Sequence, residues 1–247
     1  MFKRLINWAR YQVARLIHWR RRNARIVVVM GGPGAGKGTV CKLIAPDLGI
    51  HHLSTGDIFR REIAAQTELG KQVEPYLKES ALVPNGITLA ALRKELEQPA
   101  YYRGVVLDGF PRTLEQAQLL EDLLRGWGNK VERVILLEVP EQDLIDRLSL
   151  RRTCSNKSCG RTYHTRLNPP RKADVCDFCG SALYQRPDDV PENISRRLRE
   201  YRATVRPLCD YYRETGVLTT VESTNEQSPQ VVAAVVFSAI TGKGAKP

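Results

Sequence analysis

The sequence predicts an α/β fold, a parallel sheet covered by helices on both faces and interrupted by two insertions. Three observations predict it. Strand-like apolar runs alternate with helical stretches along most of the chain. The first run, RIVVVM, opens into the glycine turn GGPGAG and then into the helix-like KGTVCKLIAPDL. Two segments, 54 to 83 and 150 to 186, break the alternation without enough apolar residues for large cores of their own. At 247 residues the chain is long enough to bury a full core without disulfides.

Residues 1–24 come first and read as a separate unit. On a helical wheel Phe2, Leu5, Ile6, Ala9, Val13, Leu16 and Ile17 form one stripe, Trp8 and Trp19 border it, and Lys3, Arg10 and Arg21 lie opposite. Residues 1–25 hold Lys3, Arg4, Arg10, Arg15, Arg20, Arg21, Arg22 and Arg25 and no acid, so most of the net charge of +11 belongs to an extension. That argues against nucleic acid as the partner of the whole chain. The segment suits an anionic membrane surface or a protein partner, and its acid-free start also suits an address for mitochondria or another organelle. The rings of Trp8, Tyr11 and Trp19 are more typical of an interfacial anchor. The apolar runs of the body, such as IVVVM (26–30) and VVAAVVF (231–237), are too short to span a bilayer, and the body at 25–247 is expected to be cytoplasmic.

From Arg25 the elements follow in order. The first strand is RIVVVM, and its helix begins near Lys37. Segment 54–83 reads as charged helices without a strand. Further strands are expected over GVVLDGF (104–110) and VERVILLEV (131–139), each leading into a helix. The helix that begins near Glu141 is expected to carry Arg147 and Arg151, four apart, on one face. VLTTVES (217–223) reads as the last strand and SPQVVAAVVFSAI as the closing helix.

The glycine turn carries G-x-x-x-x-G-K between a strand and a helix, the context in which such a loop cradles phosphates. Glycines let the backbone aim successive N–H groups at one point, the helix adds its positive end, and Lys37 supplies a full charge. The general motif then wants a hydroxyl for magnesium, but Gly38 stands there and Thr39 follows. This suggests a metal held through waters and phosphate oxygens, arriving with the nucleotide. The knuckles Cys154-x4-Cys159 and Cys176-x2-Cys179 suit a tetrahedral thiolate site for zinc, structural because four protein ligands leave no open position. A zinc ribbon for nucleic acid, using Lys157, Arg166, Arg171 and Lys172, is the weaker reading of the same insertion. Cys41 and Cys209 are expected to be buried thiols on helices.

GGPGAGKGT, LSTGDIFR (53–60), LDGFPRTLEQ (107–116), DRLSLRR, QRPDD and ISRRLREY together resemble the adenylate kinase family, in its long form with a four-cysteine lid. The resemblance runs from Arg25 to the C-terminus. That family's loop ends G-K-G-T, so Gly38 is the expected residue, whereas Val40 departs from the usual glutamine. The resemblance implies a P-loop NTPase-type sheet with a helical monophosphate-binding insertion at 54–83 and a zinc-bearing lid at 150–186. It implies transfer of the terminal phosphoryl group of Mg-ATP to AMP, giving two ADP, by a monomer.

The same resemblance assigns ATP to Gly32, Pro33, Gly34, Ala35, Gly36, Lys37, Gly38, Thr39, Arg147, Arg151, Tyr163 and His164. It assigns AMP to Thr55, Gly56, Arg60, Leu82, Val83, Gly109, Arg112, Gln116, Arg186 and Arg197. The chemistry falls to Lys37, Arg112, Arg151, Arg186, Arg197 and Asp108, with Asp108 facing magnesium-bound water. Asp188 and Asp189 are expected to pair with the arginines. No general base is required, because the acceptor is already a phosphate dianion; alignment and charge neutralisation suffice. A UMP/CMP kinase on the same fold usually has a short lid and a smaller residue in place of Thr55. A non-catalytic nucleotide-binding membrane adaptor would not need two arginine sets.

Overall fold

The computed structural model describes residues 22–156 and 159–242. Most of the amphipathic segment expected over residues 1–24, and Lys157 of the insertion, lie outside them.

Five parallel strands form the main sheet, β1 (Arg25–Gly31), β2 (His51–Ser54), β3 (Gly104–Asp108), β4 (Arg133–Glu138) and β8 (Leu218–Glu222), in the order β2-β3-β1-β4-β8. Strands covered on both faces read as continuous apolar runs, and β1 shows why. Ile26, Val28 and Met30 enter the core on one face, while Val27 and Val29 enter the core on the other. The first core is closed by α4 (Asn85–Leu96), α5 (Leu114–Gly126) and the end of α7 (Pro191–Glu214); the second by α1 (Lys37–Asp47), α6 (Glu141–Ser149) and α8 (Pro229–Thr241). Val40, Cys41 and Cys209 are buried in these cores, so the thiols are packing groups on α1 and α7.

β2 is a strand that the sequence pattern does not announce. In HHLS only Leu53 is fully buried, because β2 lies at the sheet edge and lacks the apolar run of a central strand. It leads into the helical pair α2 (Thr55–Ala64) and α3 (Glu68–Lys78), capped by Ser54, which accepts from Asp57 N, and Thr67, which accepts from Gly70 N. The two helices cross so closely that a Cβ at Gly70 would sit 2.3 Å from Glu62 O.

The cysteine segment forms a second, antiparallel sheet of β5 (Arg151–Cys154), β6 (Thr162–His164) and β7 (Leu183–Tyr184), in the order β6-β5-β7. Its own core is small: Cys154, Tyr163, Cys176 and Leu183. Here one expectation is corrected. α6 ends at Ser149 and Arg151 opens β5, so Arg147 and Arg151 do not share a helix face.

Because the five strands are parallel, the sheet has two unlike edges. Gly31, Ser54, Asp108, Glu138 and Glu222 end them on one side, and Arg25, His51, Gly104, Arg133 and Leu218 begin them on the other. The chain enters at the second edge, where Asn129 Nδ2 donates to Ala24 O at 2.9 Å. There Arg25 makes a two-pronged bond with Glu132, Nε to Oε2 at 2.9 Å and Nη2 to Oε1 at 2.7 Å.

Candidate active site

A cleft of about 1510 Å³ opens over the first edge of the sheet, bounded by the glycine turn, the α2–α3 pair and the cysteine sheet. Single small ligands usually occupy about 300–1,000 Å³, so this volume suits two nucleotides. Of the residues expected to meet nucleotide, all but Gly32 line the cleft. Gly32 is buried beneath the turn, where a Cβ would lie 2.8 Å from Leu144 Cδ1.

The turn is shaped by its backbone. Gly31 has φ 146° and a Cβ there would come 2.7 Å from Leu137 O; Gly36, the N-cap of α1, is left-handed at φ 87°. Lys37 Nζ donates to Gly31 O at 2.8 Å and Gly32 O at 2.9 Å, folding the turn around its own ammonium group. Burial lowers the Lys37 pKa to about 8; Asp108 opposes this, while Arg112 and Arg197 add to it.

Gly38 acquires a steric reason. A Cβ at that position would lie 3.2 Å from Asp108 Oδ2, so a side chain there would press on the carboxylate. Thr39 is exposed at the cleft wall. Asp108 ends β3 and is buried, with Oδ2 3.3 Å from His52 Nε2. Burial opposes its ionisation, but the His52 hydrogen bond and the Lys37 charge outweigh burial and hold its pKa below the ordinary value.

Arginines from three elements converge on the cleft. Asp189, fully buried, accepts from Arg151 Nε at 2.7 Å and Nη2 at 2.5 Å, and from Arg197 Nη1 at 3.1 Å. Arg197 Nη1 also donates to Asp188 O at 2.8 Å. Arg186 Nε donates to Thr153 Oγ1 at 3.0 Å. Burial, then the charges of Arg151 and Arg60, lower the Arg186 pKa to about 10, and burial followed by Arg197 lowers that of Arg112. Cations that depress one another in this way are relieved by a polyanion, which is the chemistry such a cluster favours.

At the α2 end of the cleft, Thr55 Oγ1 donates to Gly109 O at 3.0 Å, Arg112 Nε donates to the same carbonyl at 2.8 Å, and Arg60 Nη2 donates to Asp57 Oδ1 at 2.6 Å. Val83 is buried and Leu82 half-buried on the wall nearby. Gln116 is held by both ends of its amide: Oε1 accepts from Arg112 N at 2.8 Å and Nε2 donates to Asn85 Oδ1 at 2.8 Å. Gly56 abuts the Arg60 guanidinium, 3.1 Å from a would-be Cβ.

At the other end, Arg147 Nε donates to Asn225 Oδ1 at 2.8 Å and Nη2 to Thr224 O at 2.6 Å. His164 Nδ1 accepts from Leu167 N at 2.9 Å, while its buried Nε2 has no hydrogen-bond partner among the described residues. Tyr163 touches the cleft wall but turns its hydroxyl inward, accepting from Asp177 N at 2.9 Å and lying 3.4 Å from Cys176 Sγ.

The four sulfurs of Cys154, Cys159, Cys176 and Cys179 lie within 4.8 Å of one another, with Cys154–Cys179 at 3.4 Å and Cys159–Cys176 at 3.7 Å. A tetrahedron of Zn–S bonds of about 2.3 Å has edges of roughly 3.8 Å, so the donor set and its spacing fit zinc. The Tyr163 contact lowers the Cys176 thiol, favouring the thiolate that a metal needs, whereas burial raises that of Cys154.

Four contributors lacked a sequence signal. His52, Asn85, Thr153 and Asn225 each support an expected site residue across 31 to 78 positions of chain. None belongs to a motif whose spacing would reveal it.

The comparisons with known proteins converge. Residues 29–217 match the family described as adenylate kinase. The chain is 45% identical over 197 residues to an adenylate kinase of Streptomyces avermitilis, covering 80% of this chain and 89% of that protein. It is 44% identical over 210 residues to one of Anaeromyxobacter dehalogenans, covering 85% and 96%, and 42% identical over 200 residues to one of Archaeoglobus fulgidus, covering 81% and 91%. The family match spans well over half of the chain and agrees with the parallel sheet, the glycine turn and the two-ended cleft: this chain belongs to the adenylate kinase family of phosphotransferases.

Proposed function

We propose that the chain transfers the terminal phosphoryl group of Mg-ATP to AMP, reversibly, through the residues gathered at this cleft. The observation that carries the site assignment is the convergence of Lys37, Arg112, Arg151, Arg186 and Arg197 on one cavity large enough for two nucleotides.

The glycine turn and Lys37 hold the donor's outer phosphates, and Arg147 with His164 faces its adenosine end. Arg60 and Arg112 hold the acceptor phosphate, and Gln116 meets the acceptor base from a fixed amide. Arg151, Arg186 and Arg197 surround the group in flight, where charge spreads over its oxygens. Asp108, ionised beside Lys37, orients water around the magnesium that accompanies ATP. Thr39 is the hydroxyl offered to phosphate or metal. Catalysis is alignment plus neutralisation, and water must be excluded or ATP would hydrolyse. Residues 54–83 and 150–186 therefore act as the monophosphate-binding and lid segments that close over the cleft. Cys154, Cys159, Cys176 and Cys179 would hold a structural zinc, which stiffens a segment whose own core is only a few residues.

We further infer a monomer in the cytoplasm, with residues 1–24 reaching for a membrane or protein surface rather than joining the catalytic fold. Purified protein with Mg-ATP and, in separate reactions, AMP, GMP, CMP and UMP tests the central reading by diphosphate formation. AMP is the expected acceptor. Absence of AMP turnover, or faster turnover of UMP or CMP, overturns it.

A further inference from the structure

The sheet edge opposite the cleft carries charge that phosphoryl transfer does not use. Arg22, Arg103, Lys130 and Arg133 are exposed there, and none of the four forms an ion pair among the described residues. They share one edge because the strands are parallel: Arg133 opens β4, Arg103 immediately precedes β3, and Gly104 pairs with Arg25 at the start of β1. Lys130 lies on the turn whose neighbour Asn129 holds Ala24 O, and Gly128 approaches Arg22. Glu132 is taken by Arg25, while Glu121 on α5 faces Lys130 and Asp47 and Glu214 stand at the ends of α1 and α7; against these three acids the four cations leave the edge positive by one before the N-terminal cations are added.

Both chain ends leave from this pole. The N-terminal segment joins at Ala24, beside Asn129. α8 starts at the cleft wall with Pro229 and runs back to Thr241, about 20 Å at 1.5 Å per residue. Beyond these points the sequence adds cations and no acids: Lys3, Arg4, Arg10, Arg15, Arg20 and Arg21 before, Lys243 and Lys246 after. The N-terminal stretch also has an apolar stripe bordered by Trp8 and Trp19.

We propose that this pole docks on an anionic lipid surface: residues 1–21 lay their apolar stripe into the headgroup region, the strand-end cations face the lipid charges, and the cleft opens away from the membrane. The proposal deepens the reading of residues 1–24 as an interfacial segment. Lipid fits better than nucleic acid because a phosphate backbone matches the cations but offers nothing to the apolar stripe. The geometry also protects function, since the seven residues of β1, at roughly 3.3 Å each, set the cleft more than about 20 Å from the docking edge.

Sedimentation of the full chain with vesicles of phosphatidylcholine alone, or mixed with phosphatidylglycerol, tests this. Binding is expected to the mixed vesicles, to fall with salt, and to leave AMP turnover intact on the bound enzyme. The exposed triple variant Arg103→Gln, Lys130→Gln, Arg133→Gln should lose at least tenfold in vesicle affinity, since each juxtamembrane cation contributes severalfold, while keeping its thermal midpoint and turnover. A chain lacking residues 2–21 should lose still more. Indifference of the full chain to phosphatidylglycerol overturns docking and the interfacial reading together. Parental binding by the triple variant overturns the pole alone and leaves the N-terminal segment as the anchor. Loss of turnover on the vesicle overturns the orientation, and binding of a DNA duplex in preference to vesicles overturns the choice of lipid.

Discussion

At the scale of single residues, the departure of this glycine turn from the general phosphate motif is a matter of room. Gly38 stands where Asp108 needs clearance, and Lys37 waits on two carbonyls of its own loop. The Lys37 pKa, lowered by burial to about 8 from 10.5, makes a pH prediction with a definite sign. Below pH 8 the ammonium is charged in both folded and unfolded chains. Between the two values the unfolded chain binds more protons, so this group makes stability rise with pH. ATP affinity runs the other way. Phosphates favour the charged form, so above pH 8 binding must take up a proton, and the Kd for ATP should rise by up to about tenfold per pH unit. Calorimetric titrations at pH 7 to 9.5 check this. The slope should vanish in Lys37→Met; a slope that persists there belongs to another group.

At the scale of elements, the cysteine segment is the one whose stability its apolar residues explain least. Its sheet is antiparallel and short, and its core holds two cysteines, a tyrosine and a leucine. Cys176→Ser should therefore remove bound zinc, about one per chain in the parent, and lower the thermal midpoint by ~5 °C or more, corresponding to a loss of a few kcal/mol. Metal analysis and a melting curve check both halves; a zinc-free parent with the same midpoint as the variant contradicts the staple. Legibility followed the same physics. β1, β3 and β4 were readable because central parallel strands must be apolar throughout, and β8, at the opposite edge, because VLTTV is rich in β-branched residues ahead of a closing helix. β2 was not, being an edge strand of mixed polarity, and the end of α6 was misplaced because no glycine or proline marks it before Arg151.

At the scale of the whole molecule, the residues of the cleft were legible because each sits in a contiguous motif, while their supports were not. Asn85 behind Gln116 and Thr153 behind Arg186 are brought together only by the folded chain. On the docking proposed above, the two unlike edges of the sheet divide the labour: chemistry at the strand ends, attachment at the strand starts. Deleting residues 2–21 should accordingly leave kcat and the KM for AMP within about twofold, because on the proposed docking the segment serves the lipid surface and not the cleft. Steady-state assays check this, and a collapse of kcat would place the segment in the catalytic fold.

Asp189 has one further consequence. A carboxylate with no exposure is shared by Arg151, at the root of the cysteine sheet, and Arg197, on the long helix of the body. The cleft is therefore a field with its own resident counter-ion, and an arriving anion competes with that ion before it gains anything. On the proposed function, two nucleotides bring a chain of phosphates that can engage both arginines at once, which a lone small anion cannot do. Valence, as much as shape, then decides which visitors the cleft retains.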